Sequence, residues 1–301
     1  MLRCAGYPVR QIMVALSLDP SYVSRIVAAA LAEDVGPGDV TTLATIPPDA
    51  RCVALLNSRV EGVAAGLGVA MEAFRQLDAA VDITPHAYDG DAMGPGDRLL
   101  TIRGRARGVL TAERVALNFS QRLSGIATLT ARYVEAVAGT KATIIDTRKT
   151  TPGLRQLEKY AVRAGGGQNH RFGLFDGALI KDNHIAASPD GVGGAILAAR
   201  RGVPHSLRIE VECDTLDQVR EAVEAGADAI LLDNMDADKL RQAVAIIGGR
   251  AVSEASGGIT LQTVRAAAEA GVNLISVGAL THSAPALDLG LDFALVRSEV
   301  I

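Results

Sequence analysis

Six basic side chains and a histidine lie between residues 146 and 173 of this 301-residue chain, around three consecutive glycines. The stretch reads DTRKTTPGLRQLEKYAVRAGGGQNHRFG, and its only acids are Asp146 and Glu158. The chain as a whole is slightly acidic, with a formal net charge of −4. The positive charge is therefore concentrated in one place, which is typical of a site that binds small polyanions.

Six short apolar runs after residue 141 predict the strands that would position these side chains. Amphipathic stretches of helical spacing separate the runs, and several of those stretches end on glycine. Continuous apolar runs joined by helices indicate parallel strands, because parallel sheets are covered on both faces. Six such units favour a (β/α) barrel, and no GxGxxG motif follows the first strand to suggest a dinucleotide fold. The runs are 142–146, 178–182, 207–212, 229–233, 251–256 and 274–278.

The region before the barrel has a different pattern. Residues 40–105 contain turn sequences, short strand-like runs such as LLTIRG and one helical stretch, LGVAMEAFRQLD. This pattern predicts a small α+β domain with antiparallel pairing. Residues 111–139 have no helix breaker except Gly125, so they predict a long helix that carries the chain from one domain to the other.

Charged or polar residues lie at the carboxyl ends of the first five predicted barrel strands, and the sixth ends on glycine. These ends form the active-site face of a barrel, whereas an unpaired charge buried elsewhere would cost roughly several kcal/mol. The residues are Asp146 with Arg148 and Lys149, Lys181 with Asp182, Glu210 with Glu212, Asp233 with Asn234, Glu254 with Ser256, and Gly278.

Two further patterns indicate what such a face would bind. Glu210 and Glu212 are two positions apart on a strand, so their side chains project to the same side. Two acids that faced the helix layer would be poorly solvated, so we expect them to face the rim of the barrel interior. The sequences SGG (256–258) and VGA (277–279) bring backbone N–H groups close to a ligand, as barrels do for phosphate. We therefore expect a ligand that carries carboxylates, a phosphate and a group that chelates a metal.

Several features of the sequence argue for ordinary structural roles or exclude whole classes of function. Arg155, Lys159 and Arg163 recur at helical spacing and predict a solvated helix face. Aromatic residues make up 3% of the chain, Trp is absent and the pI is about 5.8, so we expect no nucleic-acid partner. The longest apolar stretch is interrupted by charges, so no membrane span is expected. The three cysteines and the histidines lack metal-ligand spacing, which favours a reducing cytoplasm and leaves only a carboxylate-and-substrate magnesium site open.

From about residue 25 onward, several motifs in order closely resemble the quinolinate phosphoribosyltransferase family. The resemblance implies an N-terminal α/β sandwich domain (1–120, with 1–20 variable and without assigned function) and an incomplete (β/α) barrel (121–283). It also implies a C-terminal tail (284–301) that returns to the first domain. The motifs are LAEDVGPGDVTT, AERVALNFSQRLSGIAT, DTRKTTPGLRQLEKYAVRAGGGQNHRFGLFDGALIKDNH, IEVECDTLDQV, AILLDNM, EASGGIT and VGALTHSAPALDLGLDF.

The resemblance also implies an activity and an assembly. Members of the family convert quinolinate and phosphoribosyl pyrophosphate, with Mg²⁺, into nicotinate mononucleotide, pyrophosphate and CO₂, a step of de novo NAD biosynthesis. They form homodimers with shared active sites, and assembly to hexamers is left open. By motif, Arg148, His170 and Arg171 resemble the ligands of the quinolinate carboxylates. Arg114 resembles the arginine that the partner subunit contributes.

The remaining site residues follow from the same resemblance. Lys149 and Lys181 resemble the lysines that face phosphoribosyl pyrophosphate and the reacting ring, in both catalytic and substrate-binding roles. Glu212 and Asp233 resemble the catalytic carboxylates for the ribose hydroxyls and for magnesium, either directly or through substrate and water. The residues that resemble the 5′-phosphate loops are Ser256, Gly257, Gly258, Val277, Gly278 and Ala279.

Three alternatives stay open on the sequence alone. The first is a related phosphoribosyltransferase, found near molybdenum-uptake functions, whose substrate is unsettled; the full set of cations favours a dicarboxylate instead. The second is a barrel lyase that forms a Schiff base through Lys181. The third is a non-catalytic phosphosugar-binding protein, which would have no use for Glu212 and Asp233 opposite the cations.

Overall fold

The computed structural model describes residues 18–296. The predictions made for the start of the chain, including Cys4, concern residues 1–17 and lie outside the described residues, as do residues 297–301. The chain forms two compact units. Within the described residues, the first unit combines residues 18–128, 156–165 and 284–296, and the second combines residues 129–155 and 166–283. The predicted barrel domain (121–283) includes residues 156–165, which the structure assigns to the first unit instead.

The first unit contains a four-stranded antiparallel sheet in the order β12–β1–β5–β3. Side chains of β1 alternate between buried and more exposed, as expected for a strand with one face against a core. The strands are β1 (Arg51–Ser58), β3 (Asp82–Pro85), β5 (Arg98–Arg105) and β12 (Leu289–Leu295), with a separate pair of β2 (Gly62–Val63) and β4 (Ala92–Met93). The shorter helices of this unit are α1 (Pro20–Val35), α2 (Val40–Thr45) and α3 (Leu67–Leu77).

The predicted long helix is present as α4 (Ala106–Ala136). Its one internal breaker in the predicted stretch, Gly125, has a packing reason. A Cβ at this position would lie 3.0 Å from the carbonyl carbon of Pro285 and closer still to its oxygen. The glycine therefore allows the segment before β12 to pass directly against the helix.

Helix α5 (Arg155–Ala164) lies almost wholly in the first unit and is held there through polar side chains. Tyr160 donates its hydroxyl to Asp89 Oδ2 at 2.5 Å, and Arg122 donates from Nε and Nη2 to the fully buried Glu158 at 3.2 and 2.8 Å. The predicted solvated face on this helix is wrong for Lys159, which is fully buried. Helical spacing identifies a face, but it does not identify what covers that face.

The second unit contains a six-stranded parallel sheet in the order β6–β11–β10–β9–β8–β7. Strands β6 and β7 lie at its two edges, so the barrel is incomplete, and both the predicted parallel strands and the predicted fold class are confirmed. An isolated parallel bridge joins Ile145 to Gln168 beside the β6 edge. The strands are β6 (Thr143–Ile145), β7 (Ala178–Ile180), β8 (Ile209–Cys213), β9 (Ala229–Asp233), β10 (Val252–Ser256) and β11 (Leu274–Ser276).

Besides α5, six helices of the described residues lie between and after these strands, and four of them overlap stretches of predicted helical pattern. Thr215 caps α8, since its hydroxyl accepts from the backbone N–H of Gln218 at 3.2 Å. No helix among residues 18–296 is both long and apolar enough to cross a membrane. The helices are α6 (Asp182–Ala187), α7 (Gly191–Gly202), α8 (Leu216–Glu224), α9 (Ala237–Ile247), α10 (Val264–Glu269) and α11 (Ala279–His282).

Candidate active site

A cavity of about 590 Å³ opens at the carboxyl ends of the parallel strands in the second unit. It brings together ten of the residues predicted from the sequence, although those residues come from six separate segments. They are Arg148, Lys149, His170, Arg171, Lys181, Glu212, Asp233, Ser256, Gly257 and Gly258. The strand ends therefore converge as expected for the active-site face of a barrel.

Two guanidinium groups dominate the cationic side of the cavity. Arg148 Nε and Arg171 Nε are both buried, and neither has a hydrogen-bond partner. Burial, and then repulsion from the Arg148 charge, lower the pKa of Arg171 below its usual value. Arg171 is held in place because it donates from Nη1 to the carbonyl oxygen of Gly177 at 2.9 Å. Unpaired buried donors on adjacent cations are costly unless an anion satisfies them, so this geometry is suited to carboxylates.

His170 lies between the arginine pair and a buried acid pair. Its Nδ1 accepts the backbone N–H of Arg171 at 2.7 Å, which places the ring proton on Nε2. Nε2 lies 3.1 Å from Glu210 Oε2 and 3.7 Å from Glu254 Oε2. Both ring nitrogens thus have protein partners, so a ligand carboxylate that bonds to Nε2 would share its proton with Glu210.

Glu254 and Glu210 form a carboxyl pair beneath the histidine. The side chain of Glu254 is only 1% exposed, and its Oε1 has no hydrogen-bond partner. Burial, and then the neighbouring Glu210 charge, raise the pKa of Glu254 well above its usual value. A carboxyl with a raised pKa keeps its proton to a higher pH than usual, which lowers the negative charge that faces the arginine site.

Asp146 fixes the loop that carries His170. The aspartate is fully buried, accepts the backbone N–H of His170 at 2.9 Å and accepts from Asn169 Nδ2 at 2.6 Å. Its own backbone N–H donates to the carbonyl oxygen of Gln168 at 3.2 Å. The end of β6 thus holds the segment after the triple glycine, which explains why these glycines are not a flexible linker.

Lys181 and Glu212 form an ion pair across neighbouring strand ends, with Nζ against Oε2. The lysine side chain is 46% exposed and the glutamate 12%, so the pair lies at the cavity surface. An ion-paired ammonium is a poor nucleophile, which argues against the Schiff-base lyase. Asp233 ends β9 on the same face, and its Oδ2 accepts from Asn234 Nδ2 at 2.6 Å.

Lys149 is held against one of the predicted phosphate loops. Its backbone carbonyl accepts the hydroxyl of Thr281 at 2.7 Å. A Cβ at Gly278 would lie 3.2 Å from Lys149 Cδ and 3.2 Å from His282 Nε2, so the missing side chain makes room for the lysine stem. The VGA sequence therefore positions a cation as well as offering backbone groups.

The remaining predicted residues lie outside the lining of the cavity. Val277 is buried, whereas Gly278 and Ala279 are partly exposed next to it in the chain. Arg114 is exposed on α4 in the first unit. Its predicted role depends on a second copy of the chain, and it stays a prediction.

The structure adds residues whose roles the sequence does not reveal. Within residues 18–296, the group of potential metal ligands that lies within 4.8 Å of one another is His170, Glu210 and Glu254. The predicted magnesium carboxylates, Glu212 and Asp233, are not part of that group. Glu254 was identified in the sequence only as a polar strand end, and Asn234 only as the neighbour of Asp233. The dense placement of acids at strand ends was the available signal for both.

Comparison with known proteins matches almost the whole described chain to one family. Residues 39–124 match the quinolinate phosphoribosyl transferase N-terminal domain, and residues 126–292 match its C-terminal domain. The chain is 47% identical over 272 residues to a probable nicotinate-nucleotide pyrophosphorylase (carboxylating) of Bacillus subtilis strain 168. That alignment covers 89% of this chain and 92% of the relative.

Two further proteins extend the similarity to another kingdom and to a solved structure. The chain is 42% identical over 292 residues to the mitochondrial quinolinate phosphoribosyltransferase (decarboxylating) 2 of Nicotiana glauca, covering 90% of this chain and 82% of that protein. The crystal structure of NadC from Streptococcus pyogenes aligns with a TM-score of 0.90 at 43% identity. The alignment covers 93% of this chain and 99% of the Streptococcus pyogenes chain.

Proposed function

The chain belongs to the quinolinate phosphoribosyltransferase family, and we infer that it transfers the phosphoribosyl group of phosphoribosyl pyrophosphate to quinolinate with decarboxylation. The products are nicotinate mononucleotide, pyrophosphate and CO₂, which makes the protein a pentosyltransferase of de novo NAD biosynthesis. The observation that carries this function is the pair of adjacent guanidinium groups, Arg148 and Arg171, each with a buried and unpaired Nε.

The arginine pair explains how a dicarboxylate would be recognised. Each charge-assisted hydrogen bond contributes about 1.5–3 kcal/mol, so a few of them offset the desolvation of two carboxylates. The planar fork of a guanidinium also fixes the orientation of a carboxylate, and therefore of the ring that bears it. The raised pKa of Glu254, caused by burial and then by the Glu210 charge, favours its uncharged form and so lowers the negative charge near the arginine pair.

The chemistry then needs no nucleophile from the protein. The lone pair of the quinolinate ring nitrogen forms the bond to the anomeric carbon, while the carbon–oxygen bond to pyrophosphate breaks and its electrons leave with pyrophosphate. Positive charge develops on the ribose in the transition state, where the Glu212 and Asp233 carboxylates stabilise it. Lys149 and Lys181 stabilise the negative charge of the leaving group.

Decarboxylation follows on the ribosylated ring. The bond from the ring carbon to its adjacent carboxylate breaks, CO₂ leaves, and the electron pair stays on the carbon next to the cationic nitrogen. A proton from water then completes the product. The contribution of the protein is to place and desolvate that carboxylate, which is the task of the arginine pair and the loop anchored by Asp146.

Magnesium is proposed as the metal of this reaction. Glu212 and Asp233 supply the oxygen ligands that Mg²⁺ prefers, and both line the cavity. They would hold the ion directly or through substrate and water, and its charge would help pyrophosphate to depart. Because Glu212 is already paired with Lys181, binding of the ion requires that pair to adjust.

A homodimer with shared active sites is proposed for the assembly. The exposed position of Arg114 on α4 supports it, since the guanidinium is available to a second copy. Mixing an Arg114→Ala variant with a Lys181→Ala variant would test it, because mixed dimers would regain one complete site while each parent stays inactive.

A cytoplasmic location is also proposed, supported by the free thiols of Cys52 and Cys213.

The function is tested by release of labelled CO₂ from quinolinate labelled in its ring carboxyl groups. We expect release that requires the enzyme, phosphoribosyl pyrophosphate and Mg²⁺ together, with nicotinate inert as a substrate. Nicotinate lacks the carboxylate next to the ring nitrogen and would release no CO₂ even if it reacted, so its use as a substrate is followed by pyrophosphate release. The absence of pyrophosphate release with nicotinate would show that the site requires both carboxylates. A folded enzyme that releases no CO₂ with all components present would refute the proposal. That result would favour a related phosphoribosyltransferase that acts on a different acceptor.

A further inference from the structure

Asn234 has an unusual backbone at the end of β9. Its φ is +52°, and no other residue except glycine has a positive φ in the described part of the chain. This left-handed region is unfavourable for side chains with a Cβ, although Asn is among the residues that tolerate it. Such conformations persist where surrounding contacts hold them, and they concentrate at functional sites.

The contacts that hold Asn234 join two neighbouring strand ends. Its backbone N–H donates to the carbonyl oxygen of Ser256 at 2.9 Å, which links the end of β9 to the end of β10. Its side-chain Nδ2 donates to Asp233 Oδ2 at 2.6 Å. The second bond orients the Asp233 carboxylate at the end of β9 and leaves its Oδ1 for a ligand.

The same amide also packs on the glycine loop. A Cβ at Gly257 would lie 2.6 Å from Asn234 Cγ and 2.9 Å from its backbone nitrogen, closer than real Cβ contacts. Gly257 and Gly258 have φ values of +84° and +61°, so the loop turns back over the asparagine. One side chain therefore touches the Asp233 carboxylate and the backbone of the SGG loop.

We propose that Asn234 is a positioning residue that sets the Asp233 carboxylate and the Gly257 backbone at one fixed separation. This inference rests on the proposed function, in which Asp233 meets the ribose and the SGG loop holds the 5′-phosphate of the same substrate. Because these two groups are joined covalently in phosphoribosyl pyrophosphate, a fixed separation in the protein matches a fixed separation in the ligand. Asn234 thus acts on the phosphoribosyl substrate and has no contact with the acceptor.

Two substitutions distinguish the role of the Asn234 side-chain amide from the role of its positive-φ backbone. Asn234→Gly keeps the positive φ and removes the amide, while Asn234→Asp keeps the shape and replaces the donor with an acceptor beside Asp233. Asn57→Asp is the matched control, because Asn57 Nδ2 also donates to a carboxylate at 2.6 Å, that of the exposed Asp292 in the first unit. All three variants are measured as the intact chain with both substrates.

We expect Asn234→Gly to lower kcat/KM for phosphoribosyl pyrophosphate by about tenfold to a hundredfold, which is about 1.4–2.8 kcal/mol. KM for quinolinate should change by less than about twofold and Tm by less than about 2 °C, since each carboxylate-binding arginine and the core are untouched. Asn234→Asp should be at least as impaired. Asn57→Asp should leave both kinetic constants unchanged.

A double-mutant cycle identifies the route of the effect. If Asn234 acts through Asp233, adding Asn234→Gly to Asp233→Asn should cost less than about threefold, far below the sum of the single effects. Calorimetric binding of phosphoribosyl pyrophosphate should weaken in parallel. The inference is overturned if Asn234→Gly matches the wild type, if its effect adds fully to that of Asp233→Asn, or if quinolinate is affected equally. Wild-type enzyme that lacks activity would refute the proposed function instead, and the binding measurement would still decide the role of Asn234.

Discussion

Replacing Arg148 with lysine tests the arginine pair most directly. The change keeps the positive charge near Arg171 but removes the planar fork, including the Nε donor that is buried without a partner. Lysine offers a point charge, so at least one charge-assisted hydrogen bond to a carboxylate is lost. Such a bond contributes about 1.5–3 kcal/mol, which corresponds to a fall of roughly 10- to 150-fold in kcat/KM for quinolinate.

The assay varies one substrate at a time. Initial rates of CO₂ release are measured against quinolinate at saturating phosphoribosyl pyrophosphate and Mg²⁺, and then against phosphoribosyl pyrophosphate at saturating quinolinate. Arg201→Lys is the control, because Arg201 is exposed on α7 and does not line the cavity. A loss below about threefold for quinolinate, where tenfold or more is expected, would refute the reasoning. An equal loss for both substrates would also refute it, since the arginine would then not be specific for the acceptor.

Three other predictions concern pH and stability. Burial raises the pKa of Glu254, so the folded state keeps a proton at pH values where the unfolded state has lost it. The free energy of unfolding should therefore decline as pH rises through that raised pKa. Glu254→Gln removes the titrating group and should flatten this decline in a plot of Tm against pH. Gly125→Ala should gain about 1 kcal/mol of helix propensity, yet its Cβ would collide with Pro285, so we expect a net loss of about 1–3 kcal/mol in urea unfolding; a stabilised variant would contradict the packing argument. Arg122→Ala should cost about 3 kcal/mol, because it removes two bonds to the buried Glu158, and a urea-unfolding change below about 1 kcal/mol would show that other partners suffice.

The sequence predicts the second unit well because its signals are local. Each strand of a parallel sheet is a short apolar run, and all the strands run in the same direction. Their carboxyl ends therefore lie at one edge of the sheet, so the residues that follow the runs must converge there. This reasoning alone groups Arg148, Lys181 and Asp233, and the cavity contains all three. The motifs that resemble the family then supply roles for those residues that spacing could not.

What the sequence does not reveal depends on contacts between distant segments. The i, i+4 spacing of Arg155 and Lys159 is the same whether the face meets water or protein, so the burial of Lys159 could not be predicted. The raised pKa of Glu254 comes from its burial and then from the charge of Glu210, which lies 44 positions earlier in the chain (254 − 210). The left-handed backbone of Asn234 depends on Ser256 of the next strand.

Strand β12 gives the first unit an unusual order of completion during protein synthesis. β1 is a central strand of the antiparallel sheet, and its residues from Cys52 to Ser58 pair with Leu295 to Leu289. On the ribosome, β1 emerges early but waits for its partner until every strand of the parallel sheet has been made. At roughly 5–20 residues per second, that interval lasts on the order of ten seconds or more. Throughout it, one edge of β1 is an open template for other chains, so the part of the protein that begins first is finished last.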